Sequence, residues 1–177
     1  MKHEILIVGR GGQGVLLLGR ILGVAAAKYA GLFATGSETY ASETRGGESR
    51  VDLIITDNPE GVDFVKVVRA SIALFMFPYS LDRYARMLSS DAYVFLNSTY
   101  VKEFPSAVQK VFSAPYDEIA ERAVGTSRVS NIVALGHMIA RTGIMDVRHV
   151  ESTLKEIVSE KWLETNMKAL RAGLEIQ

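Results

Sequence analysis

The feature that most restricts the fold is a glycine-dense turn set between a buried strand and an apolar helix. Ile5-Leu6-Ile7-Val8 is an unbroken branched run, as expected of a strand covered on both faces. It leads directly into Gly9-Arg10-Gly11-Gly12-Gln13-Gly14, and from Val15 to about Ala30 only Arg20 and Lys28 carry charge. A helix that apolar has to be covered on most sides. Gly19 and Gly23 lie one turn apart on it, so it can approach a neighbouring element closely. A strand, a G-x-G-x-x-G turn and a helix in this order place backbone N–H groups toward an anion at the helix N-terminus.

The remaining pattern predicts alternating strands and helices followed by a helical C-terminal third. Leu32-Phe33-Ala34 can start a second strand, Ser37 to Ser49 reads as a polar segment, and Arg50 to Thr56 is the next strand. Further strands are expected at Ile72 to Phe77, Ala92 to Leu96 and, more weakly, Val108 to Phe112, with Ser80 capping a helix over Leu81 to Leu88. Helices follow at Asp117 to Val124, Ser130 to Thr142, Val147 to Glu160 and Leu163 to Ala172. Gly125, Gly143 and Gly173 stand where C-terminal caps belong, and Asp146 where an N-cap belongs. The expected architecture is a single α/β domain over 1–177, three-layered α/β/α, with a Rossmann-like N-terminal half and a parallel sheet.

The glycine turn leaves several ligands open. A nicotinamide or flavin site would need an acid at the end of the second strand, about 20 residues on, to hold the ribose. This chain has Phe33 to Ser37 there, and Glu38, the first acid, lies past the expected strand end. A phosphate-bearing ligand other than NAD, or a tight turn that binds nothing, both fit. No Gly-Lys-Ser/Thr follows, so the turn is not a Walker loop. Gly9, Gly11, Gly12, Gln13 and Gly14 are therefore the first candidate contacts with an anion or a partner chain.

The second candidate segment is Glu38 to Arg50, which gathers hydroxyls, three acids, two arginines and a Gly-Gly pair between two strands. It reads either as a solvated polar loop or as an ordered loop whose Arg45, Gly46 and Gly47 meet a partner or an anionic ligand. A single Arg-Gly-Gly in a neutral setting is no RNA-binding tract. His3, His137 and His149 are far apart, and His137 sits in an apolar helix, where packing is its expected role. Asp52 and Asp57 read as the solvent side of a strand and its turn, and Met138 and Met145 as gap-fillers. The chain contains no nucleophile elbow and no thiamine-type Gly-Asp-Gly stretch, so it presents no evident catalytic set.

Composition narrows the classes further. The 177 residues carry 20 Lys+Arg against 20 Asp+Glu, a balance that argues against nucleic acid as the main partner. There is no cysteine, which excludes disulfides, a thiolate zinc site and an iron–sulfur cluster held by this chain. The longest apolar stretch, Val15 to Ala27, is interrupted by Arg20 and is too short to span a bilayer. A cytoplasmic protein with no membrane partner is the expectation.

On three motifs the sequence resembles the gamma subunit of the 2-oxoacid:ferredoxin oxidoreductases. Gly9 to Val15 matches the family's Gly-x-Gly-Gly-Gln-Gly-Val opening. Tyr40 to Arg50 matches its Tyr-x-x-Glu-x-Arg-Gly-Gly segment, although Ala41 and Ser42 stand where relatives often carry Gly and Pro. Asn131 to Gly136 matches its Asn-x-x-Ala-Leu-Gly helix. The resemblance implies a subunit of a hetero-oligomer with alpha, beta and delta chains, which converts a 2-oxoacid to its acyl-CoA. Thiamine diphosphate, magnesium and iron–sulfur clusters would sit on those partners, ferredoxin would accept the electrons, and this chain would hold no cofactor alone. Gly46, Gly47 and Arg45 would face a partner or the coenzyme A side. The run from Arg45 to Arg50 into Ile54-Ile55 favours the 2-oxoglutarate branch. The alternatives are the beta subunit of an indolepyruvate oxidoreductase and a free-standing dinucleotide- or anion-binding protein.

Overall fold

The computed structural model describes residues 1–41, 46–105 and 110–177. Six strands form one mixed sheet in the order β2-β3-β1-β4-β5-β6. They are β1 (Lys2–Arg10), β2 (Phe33–Tyr40), β3 (Glu48–Thr56), β4 (Ala70–Phe75), β5 (Leu88–Asn97) and β6 (Lys110–Ala114). β1, β4, β5 and β6 run parallel, whereas β3 is antiparallel to both β1 and β2. The expected parallel sheet is therefore parallel only in part. A short hairpin after β2 returns the chain beside β1 without the crossover helix that a parallel neighbour needs.

Alternation along β1 explains its continuous apolar run. Ile5 and Ile7 enter one core with Val51, Leu53, Ile72, Leu74 and Phe95, while Leu6 and Val8 enter a second core with Ala73, Phe75, Val94 and Leu96. Both faces are buried, so every position is apolar. Burying one such side chain contributes about 1.5–3 kcal/mol.

The first face carries the helices: α1 (Val15–Val24), α3 (Tyr116–Val124), α4 (Ser130–Thr142), α5 (Val147–Ile157) and α6 (Glu160–Leu174). α1 continues as a π-helical segment, Ala25–Tyr29, whose Lys28 and Tyr29 both donate to Glu156 on α5. The second face has a thinner cover, consisting of the five-residue α2 (Leu81–Ala85) and the segments holding Val67 and Val101. Gly19 justifies its place on α1: a Cβ there would lie 2.6 Å from Val51 Cγ1 on β3.

Several local expectations change. Ser37 to Tyr40 belongs to β2 rather than to a loop, because an edge strand can be polar on its open side. Val108 lies outside the described residues, and β6 is assigned from Lys110. Ser80 stands at the N-cap of α2 with φ 50°, but its side chain makes no capping bond; the hydroxyl donates instead to Glu48 at 3.1 Å. Gly125 and Gly143 end their helices in the left-handed region, and Asp146 accepts from Arg148 N as an N-cap. Gly173 is no cap. It lies within α6, where a Cβ would meet the Val133 carbonyl at 2.0 Å. Asp52 faces the interior rather than solvent: it is 2% exposed, pairs with Arg50 at 2.5 Å and accepts from Val67 N.

Candidate functional site

The C-terminal ends of β1, β4 and β5 bring the glycine turn together with two distant segments. Gln13 ties the turn to the sheet. Its Oε1 accepts from Arg10 N at 2.7 Å, and its Nε2 donates to the Met76 carbonyl just after β4. The side chain of Gln13 is thus engaged with the backbone on both sides. Gly9 has no room for a Cβ, which would lie 2.6 Å from Val15 Cγ2 and 3.1 Å from Met76 Cβ. Gly14, the N-cap of α1, has φ 72°, and its carbonyl accepts from Asn131 Nδ2 at 3.1 Å.

Gly46 and Gly47, just ahead of β3, close the other side of the turn. Gly11 N donates to the Gly47 carbonyl at 2.9 Å. Gly46, at φ 88°, accepts from the Tyr79 hydroxyl and rests on the aliphatic stem of Arg10. The Arg10 guanidinium lies 4.7 Å from the Phe77 ring centre and 5.6 Å from that of Tyr100. Tyr100 in turn donates to Asp117; burial first and then that carboxylate push its phenol above the ordinary range. Glu48, which starts β3 opposite Arg10, accepts from Tyr84 and Ser80.

Seven of the eight candidate residues, Gly9, Gly11, Gly12, Gln13, Gly14, Gly46 and Gly47, therefore form one patch. Arg45 lies outside the described residues. Glu38 is separated from β1 by β3 and so does not occupy the position of a ribose-binding acid beside the turn.

Beside this patch a cleft of about 430 Å³ opens between the start of α1 and the junction of α5 and α6. Its walls include Gly12, Leu17, Arg128, Ser159, Trp162 and Asn166. Gly12, at φ 94°, has open space where a Cβ would stand. The first turn of α1 carries no acidic side chain, so its N–H groups and partial positive charge are not offset locally. Volume, an indole wall, a guanidinium and a helix N-terminus together suit a small amphipathic anion. Sequence reading missed Arg128, Ser159, Trp162 and Asn166 because they lie more than a hundred residues from the turn; the one signal was that Trp162 is the chain's only tryptophan.

The donor set does not suit a metal cluster. The chain has no thiolate, and no group of three or more His, Asp or Glu side chains is placed to hold a metal among the described residues. No helix among them is long and apolar enough to cross a membrane.

The fold and the turn define an α/β protein whose glycine turn leads into a helix N-terminus, and a family model gives its class. The model described as pyruvate ferredoxin/flavodoxin oxidoreductase matches residues 4–176, and the chain belongs to that family. Among curated proteins it is similar to the 2-oxoglutarate synthase subunit KorC of Methanothermobacter marburgensis, with 36% identity covering 99% of this chain and 97% of the relative. Among solved structures it resembles the gamma subunit of a keto/oxoacid ferredoxin oxidoreductase from Geobacter sulfurreducens. That match has a TM-score of 0.84 and 32% identity, over 98% of this chain and 96% of the other. A 2-oxoglutarate:ferredoxin oxidoreductase from Magnetococcus marinus, solved with 2-oxoglutarate, coenzyme A and succinyl-CoA bound, shares the fold. Its TM-score is 0.80 and its identity 18%, over 99% of this chain and 31% of that one.

Proposed function

We propose that this chain is the gamma subunit of a 2-oxoacid:ferredoxin oxidoreductase preferring 2-oxoglutarate, and that it supplies part of the coenzyme A site. The carrying observation is the convergence of all three family motifs on one point. Gly14 meets Asn131, Gly11 meets Gly47, and the 430 Å³ cleft opens beside them. In this reading Arg128 and the first N–H groups of α1 take a phosphate, and Trp162 offers its indole to the apolar part of the ligand. The KorC relative supports the substrate, and the coenzyme A in the Magnetococcus protein supports the ligand. Decarboxylation and electron transfer belong to alpha, beta and delta chains carrying thiamine diphosphate, magnesium and iron–sulfur clusters, with ferredoxin as acceptor. The chain acts as one domain in the cytoplasm.

The test is reconstitution of the complex with and without this chain, following acyl-CoA formation from 2-oxoglutarate. Full activity without the chain overturns the subunit reading. Arg128→Ala in the complex is expected to raise the KM for coenzyme A about tenfold, the worth of one charge-assisted hydrogen bond. The KM for the 2-oxoacid is expected to stay unchanged. An unchanged coenzyme A KM overturns the ligand assignment alone.

A further inference from the structure

β2 is a sheet edge with little to guard it. It pairs with β3 on one side, and no described strand pairs with its other side. The Ala41 N–H donates to the Glu48 carbonyl, which fixes the phase of the ladder. Odd-numbered residues of β2 therefore direct their N–H and C=O groups at β3, and Ala34, Gly36, Glu38 and Tyr40 direct theirs outward. Edges are commonly blunted with Lys, Pro or a cover. β2 has neither Lys nor Pro and a single charge, Glu38, whereas β6 at the opposite edge begins with Lys110.

The side chains of the outward residues lie on the helical face, since Gly36 pairs with Leu53 and Glu38 with Val51. There Gly36 and Glu38 share a groove of about 320 Å³ with Gly19, Arg20 and Leu53. On the other face, the Ser37 hydroxyl is buried and makes no hydrogen bond among the described residues.

We infer that β2 is a self-association edge: two copies of this chain join antiparallel about a two-fold axis at Ser37, merging two six-stranded sheets into one. This register pairs Ala34 with Tyr40 of the second copy and Gly36 with Glu38 of the second copy. Every outward N–H and C=O then finds a partner; centring the axis on Gly36 would leave Tyr40 unpaired. Charge selects the same occupant. Each Glu38 passes over the other copy's Gly36, which has no side chain, into the groove that holds Arg20. On the opposite face Ser37 meets its own symmetry mate, and Thr35 meets Thr39, hydroxyl pairs that stabilise antiparallel neighbours.

The experiment is sedimentation equilibrium of the full chain over a micromolar dilution series, so it does not depend on the oxidoreductase reading. A dimer of twice 19.4 kDa is expected. Arg20 and Glu38 are exposed, so charge reversal at either spares the fold, as circular dichroism would verify. Glu38→Arg and Arg20→Glu alone should each weaken association about tenfold or more through like-charge contact at both symmetric sites. The double variant should restore it. A monomeric wild-type chain, or single reversals that leave the dissociation constant unchanged, overturns the proposal. If the chain is monomeric alone but Glu38→Arg blocks its entry into a hetero-complex, the edge belongs to a partner's strand and the second-copy assignment is wrong.

Discussion

Asn131 Nδ2 donates to the carbonyl of Gly14 across 3.1 Å, joining the first turn of α4 to the N-cap of α1 over 117 positions of sequence. The same carbonyl accepts from Leu18 N at 3.0 Å, so it serves the helix and the contact at once. Asn131 is 3% exposed and sits against the face where a Gly14 Cβ would project. Asn131→Leu keeps the volume and removes the donor, with an expected cost of about 1–2 kcal/mol. Gly14→Ala adds strain at positive φ, about 1–3 kcal/mol, and drives Asn131 from its place. Urea unfolding at constant m-value measures both. An unchanged midpoint for Gly14→Ala would mean that the turn has an alternative conformation.

Gly136 and Gly173 form the contact between α4 and α6. A Cβ on Gly136 would lie 2.2 Å from the Leu170 carbonyl, and one on Gly173 would lie 2.0 Å from that of Val133. These positions are backbone against backbone, so a methyl group can be admitted only by separating the helices. Gly136→Ala and Gly173→Ala are each expected to lose about 1–3 kcal/mol as overpacking. The double variant should cost less than the sum, since one separation relieves both. Thermal unfolding of the two singles and the double decides it; additive losses would rule out a shared contact.

These glycines show why part of the fold was legible in the sequence and part was not. Gly9, Gly12 and Gly14 announce themselves because the turn they make is local and demands glycine. Gly173 has the same identity and spacing as a C-cap, and only the distant Gly136 reveals its different work. β1 was readable because two-sided burial writes a continuous apolar run. The outer half of β2 was not, because a strand with one neighbour leaves side chains such as Glu38 and Thr39 exposed and free to be polar. No local signal in the sequence gives the direction of β3, so the antiparallel return of the hairpin shows only in the folded sheet. The cleft was hidden for a related reason: Arg128 and Trp162 reach the turn only after α4, α5 and α6 have packed.

Asp52 exemplifies a charge that looked solvated and is not. Its carboxylate pairs with Arg50 Nη2 at 2.5 Å, and their side chains are 3% and 13% exposed. The same oxygen accepts from Val67 N, holding the segment that covers the second sheet face. Removing one member of a buried pair leaves the other charge uncompensated, at a cost of about 3–5 kcal/mol. Asp52→Ala is expected to fall in that range and to raise hydrogen exchange in the segment around Val67. A loss comparable to an exposed pair, such as Lys28–Glu156, would show that water reaches Arg50.

His137 gives the chain a specific acid sensitivity. It is 1% exposed, its Nδ1 lies 2.9 Å from the Tyr116 hydroxyl, and its Nε2 has no hydrogen-bond partner among the described residues. Burial drives the phenol of Tyr116 upward, so Tyr116 donates and the imidazole accepts while neutral. Burial first, and then the Arg141 charge, push the imidazole down to about 4 from 6.5. The unfolded chain therefore takes up a proton on this group between pH 6.5 and 4, where the folded chain does not. Stability is full above pH 6.5, falls as pH drops through that window, and levels off near pH 4, the total loss being roughly 3 kcal/mol. His137→Gln keeps an acceptor for Tyr116 and removes the titration. The difference in unfolding free energy between wild type and variant should stay constant above pH 6.5. Below it, the variant should gain on the wild type down to about pH 4. Curves that remain parallel from pH 7 to 4 would place the proton uptake elsewhere.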